Sequence, residues 1–425
     1  MPASDVNRTI DAVWRIESPR LIAGVARIVR DVGVAEDVAQ EALVAALEQW
    51  PESGVPDRPG AWLMSTAKHR AIDRLRRAEV HERKTRELGL EIQLRGEADS
   101  PDLEAAIDDP FDDDLLRLIF TACHPVLSTD ARVALTLRLV AGLTTSEIAR
   151  AYLVSEATVA QRIVRAKRTL SEARVSFDAP ERDELAERLA AVLEAIYLIF
   201  NEGYAATAGD DWIRPELIEE ALRLGRILAE LLPSEPEVHG LVALMELHAS
   251  RSRARIGPSG EAVLLLDQDR SRWDWLLVGR GLAALDRAQR TGGALGPYTL
   301  QAAIAACHAR ARVADDTDWE RIVALYDALA QLLPSPVVEL NRAVAVAMAF
   351  GPEAGLELVD ALTSEPALRG YHLLPTVRGD LFAKLGRDDE ARAEFERAAA
   401  LTHNARERAV LLERMAACSP RNGGN

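Results

Sequence analysis

From about residue 183 onward, amphipathic stretches of helical period alternate with short breaks that carry Pro or Gly: LLPSEPEV, LGPYTL, LLPSPVV and FGPEAG. Proline removes a helix-interior hydrogen bond and pushes the residue before it toward extended backbone, so each break ends one helix and begins another. A chain punctuated in this way is confined to short helices folded back on their neighbours, the rhythm of stacked helical hairpins. No long β-rich stretch interrupts it, and the expected fold class is all-α. The composition agrees, with 48% hydrophobic residues of which few are aromatic, and ample Ala, Leu, Arg and Glu.

Helical period also governs the first part. Val34, Val38, Ala42 and Leu47 form one apolar stripe, and Trp62, Leu63, Ala67, Ile72 and Leu75 form another. Between them and the next helical pattern lies GEADSPDLEAAIDDPFDDD, residues 96 to 114, with nine acidic residues, no basic one, and breaks at Pro101 and Pro110. Like charges repel and little apolar surface is available there, which predicts a linker. A chain of 425 residues holds two to four domains at ordinary domain sizes. The formal net charge is -16, and residues after 175 carry -12 of it.

Against that acidity stands TSEIARAYLVSEATVAQRIVRAKRTL, residues 145 to 170. Thr144 with Glu147 three positions on forms a capping box, and Ser155 caps a second helix. Ile148, Ala149, Tyr152, Val159, Ile163 and Ala166 fall on the faces that pack together, and YLV joins the two helices as a helix-turn-helix. Glu156, Ala157, Ala160, Gln161, Val164, Arg165 and Arg168 then point outward, with Arg162 and Lys167 at the flanks. Such a face suits a DNA major groove, where Arg pairs with guanine, Gln with adenine, and other cations hold phosphates. The alternative is an ordinary hairpin with a solvated basic face. A second basic helix, STAKHRAIDRLRR at 65–77, brings Lys68, Arg70, Arg74, Arg76 and Arg77 against Asp73 alone.

AEDVAQEALVAAL (35–47) followed by PGAWLMSTAKHRAIDRLRR (59–77) resembles region 2 of a bacterial sigma factor of the extracytoplasmic-function type, and the helix-turn-helix resembles region 4 of that family. The resemblance implies a region-2 domain over 8–80, an acidic linker over 81–112 and a region-4 domain over 113–175. It implies two partners, core RNA polymerase through its β′ clamp helices and β flap, and promoter DNA. Asp37, Gln40 and Glu41 would meet the clamp, and Lys68, His69, Arg70, Arg74, Arg76 and Arg77 would hold the minus-ten element. Gln161, Arg162, Arg165, Lys167 and Arg168 would read the minus-thirty-five element. His69 stands where the family usually has Asn, so the base read there is open.

Residues 183–420 would form a regulatory extension. RGDLFAKLGRDDEARAEFERAAAL (378–401) places Gly379, Phe382, Gly386, Ala391, Phe395 and Ala398 at the spacing of a tetratricopeptide repeat. IYLIFNEGY, DQDRSRWDW, GPYTLQAAIAA and PSPVVELNRAVA resemble the extension of one subgroup of these sigma factors. Stacked hairpins offer a concave surface for a protein segment or ligand. Asp267, Asp269 and Asp274 beside Arg270 and Arg272 have no accompanying nucleophile, metal set or phosphate loop, and are expected to serve as helix caps and ion pairs. The chain is thus expected to be a sigma factor rather than an enzyme, with no cofactor or metal. The competing reading is a helix-turn-helix regulator with a repeat-built sensor.

Three cysteines (Cys123, Cys307, Cys418) without a C-x-x-C pair suggest neither disulfides nor zinc. MPASDVNRTI lacks a basic start followed by an apolar core, and no run reaches the roughly 18 apolar residues of a membrane span, so the expected location is cytoplasmic.

Overall fold

The computed structural model describes residues 3–87, 111–152, 154–181, 184–205, 213–257, 263–292 and 295–418. The described residues form eighteen α-helices in two compact units, Met1–Ile196 and Tyr197–Asn425. The division falls inside one helix, α8 (Leu185–Tyr204), so the second unit begins later than residue 183.

In the first unit, α1 (Ala3–Val29) packs on α2 (Val32–Ser53) and α3 (Pro59–Glu87). Asp31 caps α2 by accepting from the Gly33 and Val34 N–H groups at 2.8 and 2.9 Å. The buried side of α2 is Ala35, Val38, Ala39, Ala42, Ala45 and Ala46, small residues that let α1 approach closely. Leu47 is exposed instead of sharing this stripe. Five residues turn a helix by about 140° beyond a full circle, which carries Leu47 away from Ala42. Trp62 is half-buried, edge-on to the buried Trp50 with ring centroids 5.4 Å apart.

Helix α3 continues through Glu87 rather than stopping at 80, and α4 (Phe111–Ala122) opens before residue 113. ERKTRE holds good helix formers and no Gly or Pro, so nothing in it ends the helix. The expected linker is shortened at both ends, and residues 88–110 lie outside those described. Helices α4, α5 (Thr129–Leu139), α6 (Thr145–Ala151) and α7 (Glu156–Glu172) complete the second half of this unit. Their core holds Leu118, Ile119, Phe120, Leu135, Leu137 and Leu139.

In the second unit, the sequence breaks seat proline at the first helical position, where its missing N–H costs nothing. Pro215, Pro236, Pro297, Pro336 and Pro352 open α9 (Pro215–Leu231), α10 (Pro236–Ala249), α12 (Pro297–Arg310), α14 (Pro336–Phe350) and α15 (Pro352–Leu362). The remaining helices are α11 (Trp275–Arg290), α13 (Trp319–Leu332), α16 (Leu373–Lys384), α17 (Asp388–Leu401) and α18 (Ala405–Ala417). Sequential neighbours pack as antiparallel hairpins around separate cores.

Helix α10 is the hub, buried on nearly every side by α9, α11 and α12. Its Gly240 makes the close approach to α12 possible, since a Cβ there would lie 2.7 Å from the Thr299 backbone nitrogen. In the α16–α17 hairpin, Phe395 packs against Gly379 and beside Phe382, Ala391 and Ala398, and Gly386 takes φ +70° in the turn. Cys123, Cys307 and Cys418 are buried free thiols. Among the described residues no helix is long and apolar enough to cross a membrane, and no group of side chains is arranged to hold a metal ion.

Candidate nucleic-acid interface

The hairpin of α6 and α7 is built by its caps. The Thr144 hydroxyl accepts from the Glu147 N–H at 3.1 Å, and the Glu147 carboxylate accepts from the Thr144 N–H at 2.8 Å. Burial works against the Glu147 charge, but these Thr144 bonds hold its carboxyl below the usual range. Ser155 accepts from the Thr158 N–H at 3.1 Å to start α7. Ile148 and Ala149 bury against α7, whose Val159, Ile163, Ala166 and Leu170 face inward. Glu156, Ala157, Ala160, Gln161, Val164, Arg165 and Arg168 lie exposed along the opposite face, with Arg162 and Lys167 half-buried at its edges.

The cations on that face differ in how they are held. Arg162 pairs with Asp130 at 3.1 Å and Arg168 with Glu172 at 2.9 Å, both exposed pairs that cost little to exchange for phosphate. Among the described residues Arg165 makes no ion pair, and it stands out to solvent at the middle of α7.

On α3, Arg74, Arg76, Arg77 and His69 are exposed, and Lys68 and Arg70 are half-buried. Arg70 donates to the Glu41 carbonyl oxygen at 2.7 Å and sits 3.5 Å from its carboxylate, while Arg74 lies 3.9 Å from the other carboxylate oxygen. Glu41, expected at the polymerase, therefore holds two residues expected at DNA. His69 Nδ1 donates to the Ser65 carbonyl at 2.7 Å, which leaves Nε2 toward solvent. Asp37 is exposed, and Gln40 donates to Glu36 at 2.9 Å.

Glu36 is the residue that the sequence pattern did not single out. It is buried on α2, where Arg138 of α5 donates to it at 2.6 Å and Lys167 of α7 forms a second ion pair. Arg27 of α1 and Arg117 meet the buried Asp114 of α4 at 3.4 and 3.2 Å. Two buried carboxylates thus join α1–α3 to α4–α7, and one of them occupies a cation of the exposed face of α7. A charged residue amid Ala35, Val38 and Ala39 was the available signal, since a carboxylate on a buried stripe needs cations close by.

Residues 14–80 match the family described as Sigma-70 region 2, residues 117–170 match Sigma-70, region 4, and residues 188–289 match a family of unknown function (DUF6596). An uncharacterized protein of Rhizobium meliloti (strain 1021), R00370, is 45% identical over 408 residues, covering 95% of this chain and 94% of that protein. The probable ECF RNA polymerase sigma factor SigI of Mycobacterium tuberculosis (strain H37Rv) is 28% identical over 167 residues, 39% of this chain and 56% of that protein.

Proposed function

The chain belongs to the family of the Rhizobium meliloti protein and, by its region 2 and region 4 domains, is an extracytoplasmic-function-like sigma factor; from that premise we propose that it brings core RNA polymerase to specific promoters. The observation that carries this reading is the pair of basic helices, α3 and α7, each set in its matching sigma domain and in that order. Asp37, Gln40 and Glu41 are assigned to the polymerase clamp. Lys68, His69, Arg70, Arg74, Arg76 and Arg77 take the minus-ten element, and Gln161, Arg162, Arg165, Lys167 and Arg168 take the minus-thirty-five element.

In this arrangement the two DNA-binding faces are anchored on one helix. Lys167 is held at Glu36 and Arg70 at Glu41, five residues apart on α2, about 7.5 Å along its axis and about 140° around a cylinder roughly 10–12 Å wide. The two promoter elements are separated by about 25 base pairs, roughly 85 Å of duplex. The first unit must therefore open between α2 and α7 before both faces engage, and binding to polymerase would supply that opening. The extension of helical hairpins, tetratricopeptide-like in the α16–α17 segment, modulates the process.

The test adds purified full-length protein to core RNA polymerase and maps transcript starts. New promoter-dependent starts are expected. Binding to duplex DNA that is indifferent to core enzyme, with no new starts, would replace this reading with a conventional helix-turn-helix regulator.

A further inference from the structure

Helix α2 carries Glu36, Asp37, Glu41, Glu48 and Glu52 and contains no Lys or Arg. Glu36 and Glu41, which receive cations of the two DNA-binding faces, point about 140° apart around its axis. At about 100° per residue, the sector between them holds Leu47, Gln40, Val44, Asp37 and Glu48 in angular order. Asp37, Val44, Leu47 and Glu48 are exposed and Gln40 is half-buried. The strip assigned to the polymerase is therefore bordered on each side by a cation assigned to DNA.

The two borders are held differently. Lys167 meets the buried Glu36, whose carboxylate also accepts from Arg138 and Gln40 at 2.6 and 2.9 Å. Glu41 is exposed, and Arg70 and Arg74 stand at 3.5 and 3.9 Å from its two carboxylate oxygens with both arginines open to solvent. Exposed ion pairs of this length are weak, so they exchange readily for another partner. The Glu41 carbonyl retains Arg70 at 2.7 Å whatever becomes of the carboxylate. Arg74 has the carboxylate alone among the described residues.

The carboxylates of Asp37, Glu41 and Glu48, set around the exposed side chains of Val44 and Leu47, suit a partner surface that is basic around an apolar centre. Cations brought by such a partner compete with Arg70 and Arg74 for one carboxylate. The exchange keeps Glu41 paired and frees two guanidiniums for phosphate. Linkage makes it reciprocal: DNA that takes Arg74 leaves Glu41 to the partner, and each ligand raises the affinity of the other by the same factor.

We propose, resting on the sigma-factor reading, that Glu41 is an exchange residue between polymerase and minus-ten DNA: it holds Arg70 and Arg74 in the free protein and gives them up when basic groups of the polymerase take its carboxylate. Toward DNA, Glu41 acts only through the two arginines and is a positioning residue. Two of the minus-ten cations thus stay occupied until polymerase arrives.

The experiment titrates the full-length chain against a fluorescent mixed-sequence duplex with a central unpaired segment, without polymerase, and in a second series against core RNA polymerase. Glu41→Gln is expected to tighten the DNA complex about two- to fivefold, the equivalent of one exposed ion pair, and to weaken the core complex. A merely structural role would weaken both. Glu48→Gln removes the same charge from the same strip, where no ion pair is made among the described residues, and should leave DNA affinity nearly unchanged. Glu41→Gln added to Arg70→Gln and Arg74→Gln should bring no gain over the two arginine changes alone. Equal DNA affinities of Glu41→Gln and Glu48→Gln, or a gain that survives the loss of both arginines, would overturn the exchange. The DNA titration needs no polymerase, so the two readings fail separately: wild type that gives no core-dependent transcript starts removes the sigma-factor reading and the exchange with it, whereas new starts without the Glu41→Gln gain remove the exchange alone.

Discussion

In the first unit, the described buried carboxylates each meet two cations: Glu36 meets Arg138 and Lys167, and Asp114 meets Arg27 and Arg117. In the second unit the roles are partly reversed. Arg251 and Arg270 are held by rings, an imidazole and carbonyl groups, while Glu246 is buried in the ordinary manner by Arg226 and Arg280. A cation paired with a carboxylate can exchange it for a DNA phosphate at little net change in charge. A cation packed on carbonyls and rings is committed to the fold and cannot be given up without leaving those acceptors unmet. The same residue type therefore marks an exchangeable contact in one unit and a fixed strut in the other.

The largest expected effect tests the ordinary pairing in the second unit. Glu246→Ala empties a buried site and strands Arg226 and Arg280, and is expected to destabilise that unit by about 3 kcal/mol, the low end for breaking a buried pair from one side because both arginines reach solvent in part. Differential scanning calorimetry of the full chain reads it. A loss below about 1 kcal/mol would mean that the pair is solvated, and the contrast with Arg251 and Arg270 would lose its basis.

The arginine cluster around His248 and His308 is tested by pH. His308 and His248 are both held neutral, the first at about 4 and the second well below its ordinary value, by burial and by neighbouring arginines. An unfolded histidine takes up its proton near 6.5, so between pH 6.5 and about 4 the unfolded chain binds more protons than the folded one. Stability that is complete above pH 6.5 is therefore lost as the pH falls toward 4, by up to about 3 kcal/mol for His308. His308→Gln should make this decline shallower without removing it, because His248 remains. An unchanged slope in denaturant titrations across that range would refute the shift.

Much of this contrast was hidden in the sequence for a physical reason. The caps at Thr144, Glu147 and Ser155, the outward face of α7 and the proline starts of α10, α12, α14 and α15 depend on spacing within one helix or turn, and spacing is visible in a linear string. Glu36 and Arg270 depend on partners 102 and 41 residues away, which no local period encodes. Of the helix caps and ion pairs expected at 267–274, Asp269 and Asp274 supply the caps, while Arg270 donates to distant carbonyls in place of a neighbouring aspartate. Leu47 misled by phase, a stripe extended one step too far. Removing the whole extension expected over 183–420 would also delete Glu194, which pairs with Arg132 at 3.0 Å inside the first unit. A cut after residue 196 keeps that contact and is the fairer truncation.

Next in size is the junction at Glu36. Glu36→Gln should cost the first unit about 2 kcal/mol, less than Glu246→Ala, because Gln keeps its volume and a hydrogen bond where Ala keeps neither. Its functional sign is opposite: Lys167 is freed, so promoter duplex binding without polymerase should rise, with a salt dependence steeper by about one phosphate. Destabilisation without any gain in DNA binding, measured by fluorescence anisotropy across salt concentrations, would show that the contact of α2 with α7 does not limit access to DNA.

The smallest effect on the fold separates two neighbours on α7. Arg165→Ala and Arg168→Ala are both surface changes, and each should alter stability by less than about 0.5 kcal/mol, since the Arg168 pair with Glu172 is exposed and Arg165 makes no pair among the described residues. Their effects on DNA should differ. On the proposed reading Arg165, one helical turn from Gln161 at the centre of the exposed face, meets a base edge, and its loss should weaken the preferred sequence by about 1–3 kcal/mol and leave others nearly unchanged. On the same reading Arg168, about a turn further along the helix, meets a phosphate, and its loss should weaken all sequences alike and lower the salt slope by about one. Competition binding of holoenzyme to matched and scrambled minus-thirty-five duplexes distinguishes the two. If Arg165→Ala behaves as Arg168→Ala does, the centre of α7 fixes register only, and the sequence must be read from Gln161 or from the shape of the duplex.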